Sequence, residues 1–518
     1  MLSNRNKFLF GSLAIAIGCY FFYLRWLWGP FWGPKNQDPS YLYLFLGMKA
    51  NTDLLSITQS PAVPLIYLSA LVTKIFLFIF GVGGRAQIIS FVFENAENIL
   101  FVIFAIATAG ISLSTYWGAV RIEGLAPGHG LGYVYLISFY FIPGLSQIGQ
   151  NVSPELLLVI LGGIFSSQII RSSLGKNPSP LSLAVVSSLS LLTKVTSILF
   201  VPMALYLTKK GTRINFFIIF FSLTAILIAP MISELPSTLR WILSIFLHDG
   251  PYGSGAAIHG IFPADPLGRI LSIRYSSPME FVLILGTAIL LSLRGSNDFL
   301  RLKNTTVLLS LLFLLQLVFF HLYPNNGGSK RYFFALSVLL PALSTGFFLC
   351  IRSNFFRLIY FSFIIFIGVT ENVRSYQTAT HLKNETKTVT TKLSQLPKKC
   401  RLTYTRGAPS QVYALYKGNG LIHGYFNTDF HEHFPDFLTT YTEIKNSSRR
   451  VNTFLSVEQE LDSTKYKRNT AKAAHCYFFF GARRADRDKR KYMQVSPIWE
   501  GEFLGLYDVR IRKEVSAH

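Results

Sequence analysis

Residues 62–81 read AVPLIYLSALVTKIFLFIFG, twenty residues with one charge, Lys74. A helix needs about 20 apolar residues to cross a bilayer, so this run is long enough to do so. It is also able to lie along the membrane face. The choice sets the orientation of the rest of the chain, because a crossing here inverts every later loop. Membrane proteins keep Lys and Arg in short cytoplasmic loops. If 62–81 does not cross, the cytoplasmic segments hold Arg5, Lys7, Arg121, Arg171, Lys176, Lys209, Lys210, Arg213, Arg294, Arg301, Lys303, Arg352 and Arg357. Against these thirteen cations stand two acids, Glu123 and Asp298. If it does cross, eleven of the thirteen move outside. The segment is therefore read as a surface helix on the outer face.

Working outward, apolar runs long enough to span begin near Lys7, Asn98, Leu131, Val152, Leu181, Val195, Ile214, Met279, Thr305, Tyr332 and Phe355. The pair from Leu181 to Leu207 is tight, with Lys194 at its turn. The expected fold is a polytopic α-helical membrane protein of about eleven transmembrane helices over 1–373, with its N-terminus inside. Residues 29–97 form a first extracytoplasmic loop with surface helices, and 234–278 a second. The turns Gln147–Glu155 and His321–Arg331 open on the same face. Met1 to Lys7 is short and basic, and no small-residue cleavage site follows, so the first run is read as an uncleaved anchor.

Apolar spans stop at Thr370. Residues 374–518 are expected to form a small extracytoplasmic soluble α/β domain. Strand-like runs stand at Arg401–Thr405, Leu421–Phe426, Cys476–Phe480 and Phe503–Arg510.

Composition supports a membrane protein. The 518 residues are 50% hydrophobic and only 14% charged, where soluble domains carry about 25% charged residues. The net charge is +23. This excludes an ordinary soluble enzyme and a disordered chain, and a simple nucleic-acid binder would lack the apolar runs. From Arg374 onward there are 25 Lys+Arg and 14 Asp+Glu. That excess is either a solvated face or a surface for an anionic lipid membrane or glycan; nucleic acid is not an expected partner outside a membrane.

Chemistry-bearing residues gather on the outer face. Asp38 follows the first span, in Asp38-Pro39-Ser40-Tyr41. It is either a helix cap or a base placed to take a proton from an incoming nucleophile. Tyr41 begins an apolar face behind it. Asp53 is a further acidic candidate, or the cap of a surface helix. Glu155 stands in Ser153-Pro154-Glu155, a good helix start with Ser at the N-cap and Pro at the first helical position; a substrate contact is a second role for it. His248 and Tyr252 lie in a Gly- and Pro-rich segment suited to wrapping a polar ligand. Lys330 and Arg331 stand at an outer helix end, against the positive-inside bias, where a bound phosphate would explain them. Lys194 follows the same logic, or snorkels to the interface. Asp429, His431 and His433 alternate, and side chains of these types are able to bind a metal. Cys400 and Cys476 face an oxidising side, which permits a disulfide.

These motifs resemble those of the polytopic GT-C glycosyltransferases, in particular the aminoarabinose and galacturonic acid lipid A transferases and the protein O-mannosyltransferases. The resemblance rests on Asp38-Pro39-Ser40-Tyr41, Ser60-Pro61-Ala62-Val63-Pro64, Ser153-Pro154-Glu155, Leu192-Thr193-Lys194 and Lys330-Arg331-Tyr332, in that order over about 370 residues. The Asp-Glu pair of the protein O-mannosyltransferases is absent, since Pro39 follows Asp38. The Trp-Trp-Asp-Tyr-Gly signature of oligosaccharyltransferases is absent too, which argues against transfer to an Asn sequon.

The resemblance implies a polyprenyl- or dolichyl-phosphate sugar donor and an extracytoplasmic lipid, glycan or protein acceptor. It implies Asp38 as general base, with inversion at the anomeric carbon. Glu155, Lys194, His248, Tyr252, Lys330 and Arg331 would contact substrate. The cations would steady the departing lipid phosphate. No organic cofactor is needed, and a divalent metal is compatible but not required. A bacterial inner membrane with a periplasmic site is the expected setting. Rival readings are a glycan polymerase or ligase acting on lipid-linked glycans, a transporter or flippase, and a non-catalytic scaffold. Inverted repeats and mid-membrane charges would favour the transporter, and no repeat is visible.

Overall fold

Helix lengths set against apolar content define the membrane part. A computed structural model of the chain describes residues 4–33, 37–53, 62–140, 142, 145–149, 151–240, 308–309, 311–312, 334–351, 353–395, 401–404, 411–422, 424–434, 441–443, 477–482, 493–500 and 504–511. Among these, four helical segments are long and apolar enough to cross a membrane: Asn4–Trp28, Arg85–Leu125, Pro154–Ser173 and Lys210–Arg240. The expected span near Met279, the one near Thr305 apart from residues 308–309 and 311–312, and the start of the one near Tyr332 lie outside the described residues. The chain divides into two units.

The first unit comprises Met1–Leu24, Leu46–Gly81 and Asn98–Ser375. It holds most of α1 (Asn4–Trp28), α3 (Val63–Ile79), most of α4 (Arg85–Leu125), and α5 (Leu131–Tyr140). Next come α6 (Leu145–Ile148), α7 (Pro154–Ser173), α8 (Pro180–Thr193), α9 (Phe200–Leu207) and α10 (Arg213–Ile228). After them stand α11 (Phe334–Ser337), α12 (Leu340–Cys350) and the start of α13 (Asn354–Ser394). Its helices reverse the soluble pattern. Ser187, Ser188, Ser190 and Thr193 of α8 are buried, while Ile214, Ile218, Phe221 and Ile226 of α10 are exposed. Phe355, Phe356, Leu358 and Phe366 of α13 are exposed as well. Small polar residues facing neighbouring helices and large apolar ones facing out suit a lipid environment. Close approach does the packing: a Cβ on Gly118 of α4 would stand 2.5 Å from the Tyr135 hydroxyl of α5.

Three boundaries depart from the sequence reading. Helix α4 starts at Arg85, not near Asn98, so the end of the expected 29–97 loop is already helical. It kinks at Asn95 (φ −107°, ψ 17°), whose side-chain amide donates to the Phe91 carbonyl at 3.0 Å. A side chain inserted into the backbone ladder is a known cause of kinks. Helix α13 runs on to Ser394, past the end of its apolar stretch at Thr370. Polar residues beyond that point still favour helix.

The tight pair around Lys194 is the third. Helix α8 ends at Thr193, Lys194 is extended (φ −157°, ψ 126°), and a 3-10 turn, Val195–Leu199, leads into α9. At 1.5 Å per residue α8 reaches only about 21 Å, short of the roughly 30 Å hydrocarbon core. Helix α8 packs against α7, α9 and α10, and the Ser188 and Thr224 hydroxyls bond at 2.8 Å.

The second unit comprises Arg25–Phe45, Val82–Glu97 and Tyr376–His518. It contains most of α2 (Gln37–Thr52), the first turns of α4, the end of α13, α14 (Gln411–Leu421) and α15 (Asn427–His433). Strands β1 (Arg401–Tyr404), β2 (Tyr441–Glu443), β3 (Tyr477–Ala482), β4 (Met493–Glu500) and β5 (Leu504–Ile511) form a sheet in the order β2-β1-β3-β5-β4. Strand β1 is parallel to β2 and β3, and the other pairs are antiparallel. Pro497, which has no N–H to give, stands on the edge strand β4 beside a bulge.

Residues 421–422 and 424–426 are not a strand. They close α14 and turn into α15. Asn419 accepts the Phe426 N–H at 3.0 Å, and Gly424 takes φ +68°. Asn and Gly ending a helix outweigh the short apolar run.

Candidate functional site

Glu155 lies in the first turn of α7. Ser153 has the extended backbone of an N-cap and Pro154 starts the helix, but the Ser153 hydroxyl makes no capping bond. Glu155 also makes an ion pair. Its Oε1 is 2.7 Å from the Lys194 Nζ. The Glu155 side chain is 2% exposed and that of Lys194 16%, so the lysine points inward instead of snorkelling. The helix N-terminus adds positive potential at the carboxylate. Extended backbone at Lys194 interrupts helical bonding between α8 and the 3-10 turn that follows. The structure thus joins two candidates whose pairing has no local signal across 39 positions.

Asp38 stands in the first turn of α2, as the second residue of the helix, not as its N-cap. Pro39 is tolerated there because first-turn N–H groups have no intrahelical partner. Tyr41, one turn on, is buried and donates its hydroxyl to Glu97 Oε1 at 2.7 Å. Burial first, then the Glu97 carboxylate, pushes the Tyr41 phenol well above its ordinary pKa, so it remains a donor. Glu97 also accepts the Phe31 N–H at 2.8 Å and the Trp32 N–H at 3.2 Å. Arg25, 4% exposed, donates to the Gly29 carbonyl and lies 4.2 Å over the Phe31 ring.

Glu97 and Arg25 were missed in the sequence. Arg25 ends the first span on the expected outer side, the same anomaly that singled out Lys330 and Arg331. Glu97 stands immediately before the apolar run from Asn98, and its fellows come from 56 to 66 positions away. No spacing reveals it.

Asp53 follows the far end of α2, exposed, with its N–H bonded to the Lys49 carbonyl at 2.8 Å. His248, Tyr252, Lys330, Arg331, Cys400 and Cys476 lie outside the described residues. Asp429 and His433 share one face of α15, and helical geometry turns His431 to another. Asp429 pairs with Arg85 at 3.5 Å, and His433 packs edge-on to Phe93. Among the described residues no group of three or more His, Cys, Asp or Glu is placed to hold a metal.

No protein-family model matches the sequence, and no curated protein does. Among solved structures, the chain is similar to the crystal structure of ArnT from Cupriavidus metallidurans bound to undecaprenyl phosphate. That match has a TM-score of 0.44 and 11% identity, covering 98% of both chains. The apo structure of the same protein matches with a TM-score of 0.31 and 11% identity, over 96% of this chain and 97% of that one.

Proposed function

We propose that the chain is an integral-membrane glycosyltransferase that moves a sugar from a polyprenyl-phosphate donor to an extracytoplasmic lipid, glycan or protein acceptor. The observation that carries this reading is the buried Glu155–Lys194 pair beside a helix break. Ionisable groups inside a membrane bundle are costly and mark sites of function. A lysine held by a carboxylate is available to an incoming phosphate, which can take over the same ammonium group.

Asp38 is the base in this reading. It accepts the acceptor's hydroxyl proton as the oxygen attacks the anomeric carbon from the side opposite the phosphate. The bond to the lipid phosphate breaks and the configuration inverts. Negative charge grows on the leaving phosphate, where Lys194, Lys330 and Arg331 stabilise it chiefly in the transition state. His248 and Tyr252 contribute donor contacts, and Glu155 keeps Lys194 oriented between turnovers. The sugar is a hexose or a pentose. The 374–518 segment is an extracytoplasmic domain whose basic residues meet the anionic membrane, and the site opens on the periplasmic side of a bacterial inner membrane.

Asp38→Asn tests the chemistry. Purified Asp38→Asn protein is expected to bind undecaprenyl phosphate as the wild type does. Mass spectrometry of envelope glycolipids from a deletion strain carrying it should show the product missing. Wild-type product levels would remove Asp38 as base. A flippase is the second reading, because a broken helix with an internal ion pair also suits transport. Movement of a fluorescent lipid phosphate across proteoliposomes, without any sugar transfer, would favour it.

A further inference from the structure

We propose that Glu97 is a positioning residue that fixes the Asp38–Tyr41 turn against α4. This rests on the reading of Asp38 as base. Three donors converge on the Glu97 carboxylate: the Phe31 N–H at 2.8 Å, the Trp32 N–H at 3.2 Å and the Tyr41 hydroxyl at 2.7 Å. The first two belong to the turn that leaves α1, and the third to α2, one turn past Asp38. A single side chain of α4 therefore ties down both sides of the segment entering α2.

Its neighbours keep that tie rigid. Arg25 holds the Gly29 carbonyl and stacks on Phe31, which steadies the turn facing Glu97. Gly418 of α14 lies against Tyr41 and Phe45; a Cβ there would stand 2.9 Å from the Tyr41 Cβ. Only glycine allows α14 to press the Tyr41 face of α2 this closely. Pro39 fixes φ between Asp38 and Tyr41. Position 38 therefore moves with Tyr41, and Tyr41 moves with Glu97. The kink at Asn95 lies two residues before Glu97 and sets the direction in which α4 presents it.

The energetic logic is that of a base needing fixed geometry. A displacement of about 1 Å at a catalytic group can cost about a hundredfold in rate. A side chain that accepts from three donors on two separate segments holds their geometry. Glu97 thus serves the reaction through Asp38 and need not touch substrate.

The test uses the full-length protein. Glu97→Gln and Tyr41→Phe are compared with wild type in a deletion strain, by mass spectrometry of the modified glycolipid. The purified proteins are compared by undecaprenyl phosphate binding and amide hydrogen exchange. Glu97→Gln is expected to cut product by about a hundredfold, with binding unchanged. Tyr41→Phe, which removes one of the three bonds, should cut it several-fold. Exchange at Phe31 and Trp32 should rise in Glu97→Gln, and Tyr41→Phe should speed exchange along the start of α2. Unchanged product in both variants overturns the proposal. So does loss of binding in step with product, the mark of general collapse. If Glu97→Gln does not accumulate, Tyr41→Phe decides alone. Wild-type product in Asp38→Asn would instead overturn the base reading, an outcome the Glu97 and Tyr41 variants do not produce.

Discussion

Two buried carboxylates in the first unit solve the same problem in opposite ways. Glu123, 1% exposed, lies near the end of α4 and accepts three backbone N–H groups, from Gly128 at 3.1 Å, Gly130 at 3.4 Å and Gly132 at 3.0 Å. Glu155 is equally buried but is met by a lysine ammonium. The first arrangement is closed, because the donors belong to the turn that the carboxylate itself organises. The second is open in another sense: its partner is a lysine ammonium brought from beyond the end of α8. Burial of an acid therefore says little about function until its partner is known. Glu123 is explained by local structure alone, whereas the partner of Glu155 comes from another part of the bundle.

Breaking the second arrangement should have the largest effect. Lys194→Met leaves the Glu155 charge buried without its cation, and removing one partner of a buried pair costs about 3–5 kcal/mol. The thermal transition of the detergent-solubilised protein should fall, and undecaprenyl phosphate binding should weaken. Replacing both partners, Glu155→Leu with Lys194→Met, sharpens the comparison. Apolar substitution of a whole buried pair is often neutral or stabilising by about 1–4 kcal/mol. Stability should return while binding stays weak. Recovery of both would mean that the pair serves the fold only.

Glu123→Gln comes next. Hydrogen bonds to a charged group contribute about 1.5–3 kcal/mol each, but a neutral amide keeps one acceptor oxygen, so part of the network survives. We expect a loss of about 2–3 kcal/mol, read from the thermal transition, with undecaprenyl phosphate binding unchanged in the protein that folds. Weakened binding at full stability would break the distinction between the closed and the open carboxylate.

How far the sequence carries such distinctions depends on the range of the interaction. Helix α7 was legible because Pro154 and a continuous apolar run act locally. Lys194 was legible as a cation against the positive-inside bias, and Glu155 as a helix start with a second role in substrate contact. Their pairing was not, because it is made by the packing of α7 against α8. Helix α4 was cut short at Asn98 because hydropathy ends there, yet Glu94, Asn95 and Glu97 continue a helix that polarity does not break. The strand assigned to 421–426 failed for the opposite reason. Apolar content was read there, while Asn419 and Gly424 were already terminating a helix. Glu97 was invisible because its donors are gathered entirely by tertiary structure, whereas Arg25 carried the same topological anomaly as Lys330 and was open to the same argument.

The smallest expected effect isolates the geometry of the closed arrangement. Gly128 and Gly130 take φ of +82° and +69°, which place successive N–H groups toward Glu123. A Cβ on Gly128 would meet no atom within 4 Å. Gly128→Ala therefore probes backbone conformation without a steric clash, at about 1–2 kcal/mol for an L residue in the left-handed region. Gly132 is the converse: its φ is ordinary, but a Cβ would lie 2.5 Å from the Phe10 ring. Both alanine variants should lower the thermal transition, Gly128→Ala by a backbone term and Gly132→Ala by moving α1. Only Gly132→Ala should be eased by Phe10→Leu, which removes the ring edge that the new methyl group would strike. Equal relief of both variants would mean that the turn and the α1 contact are one mechanical element, and that the carboxylate nest is not held by backbone geometry alone.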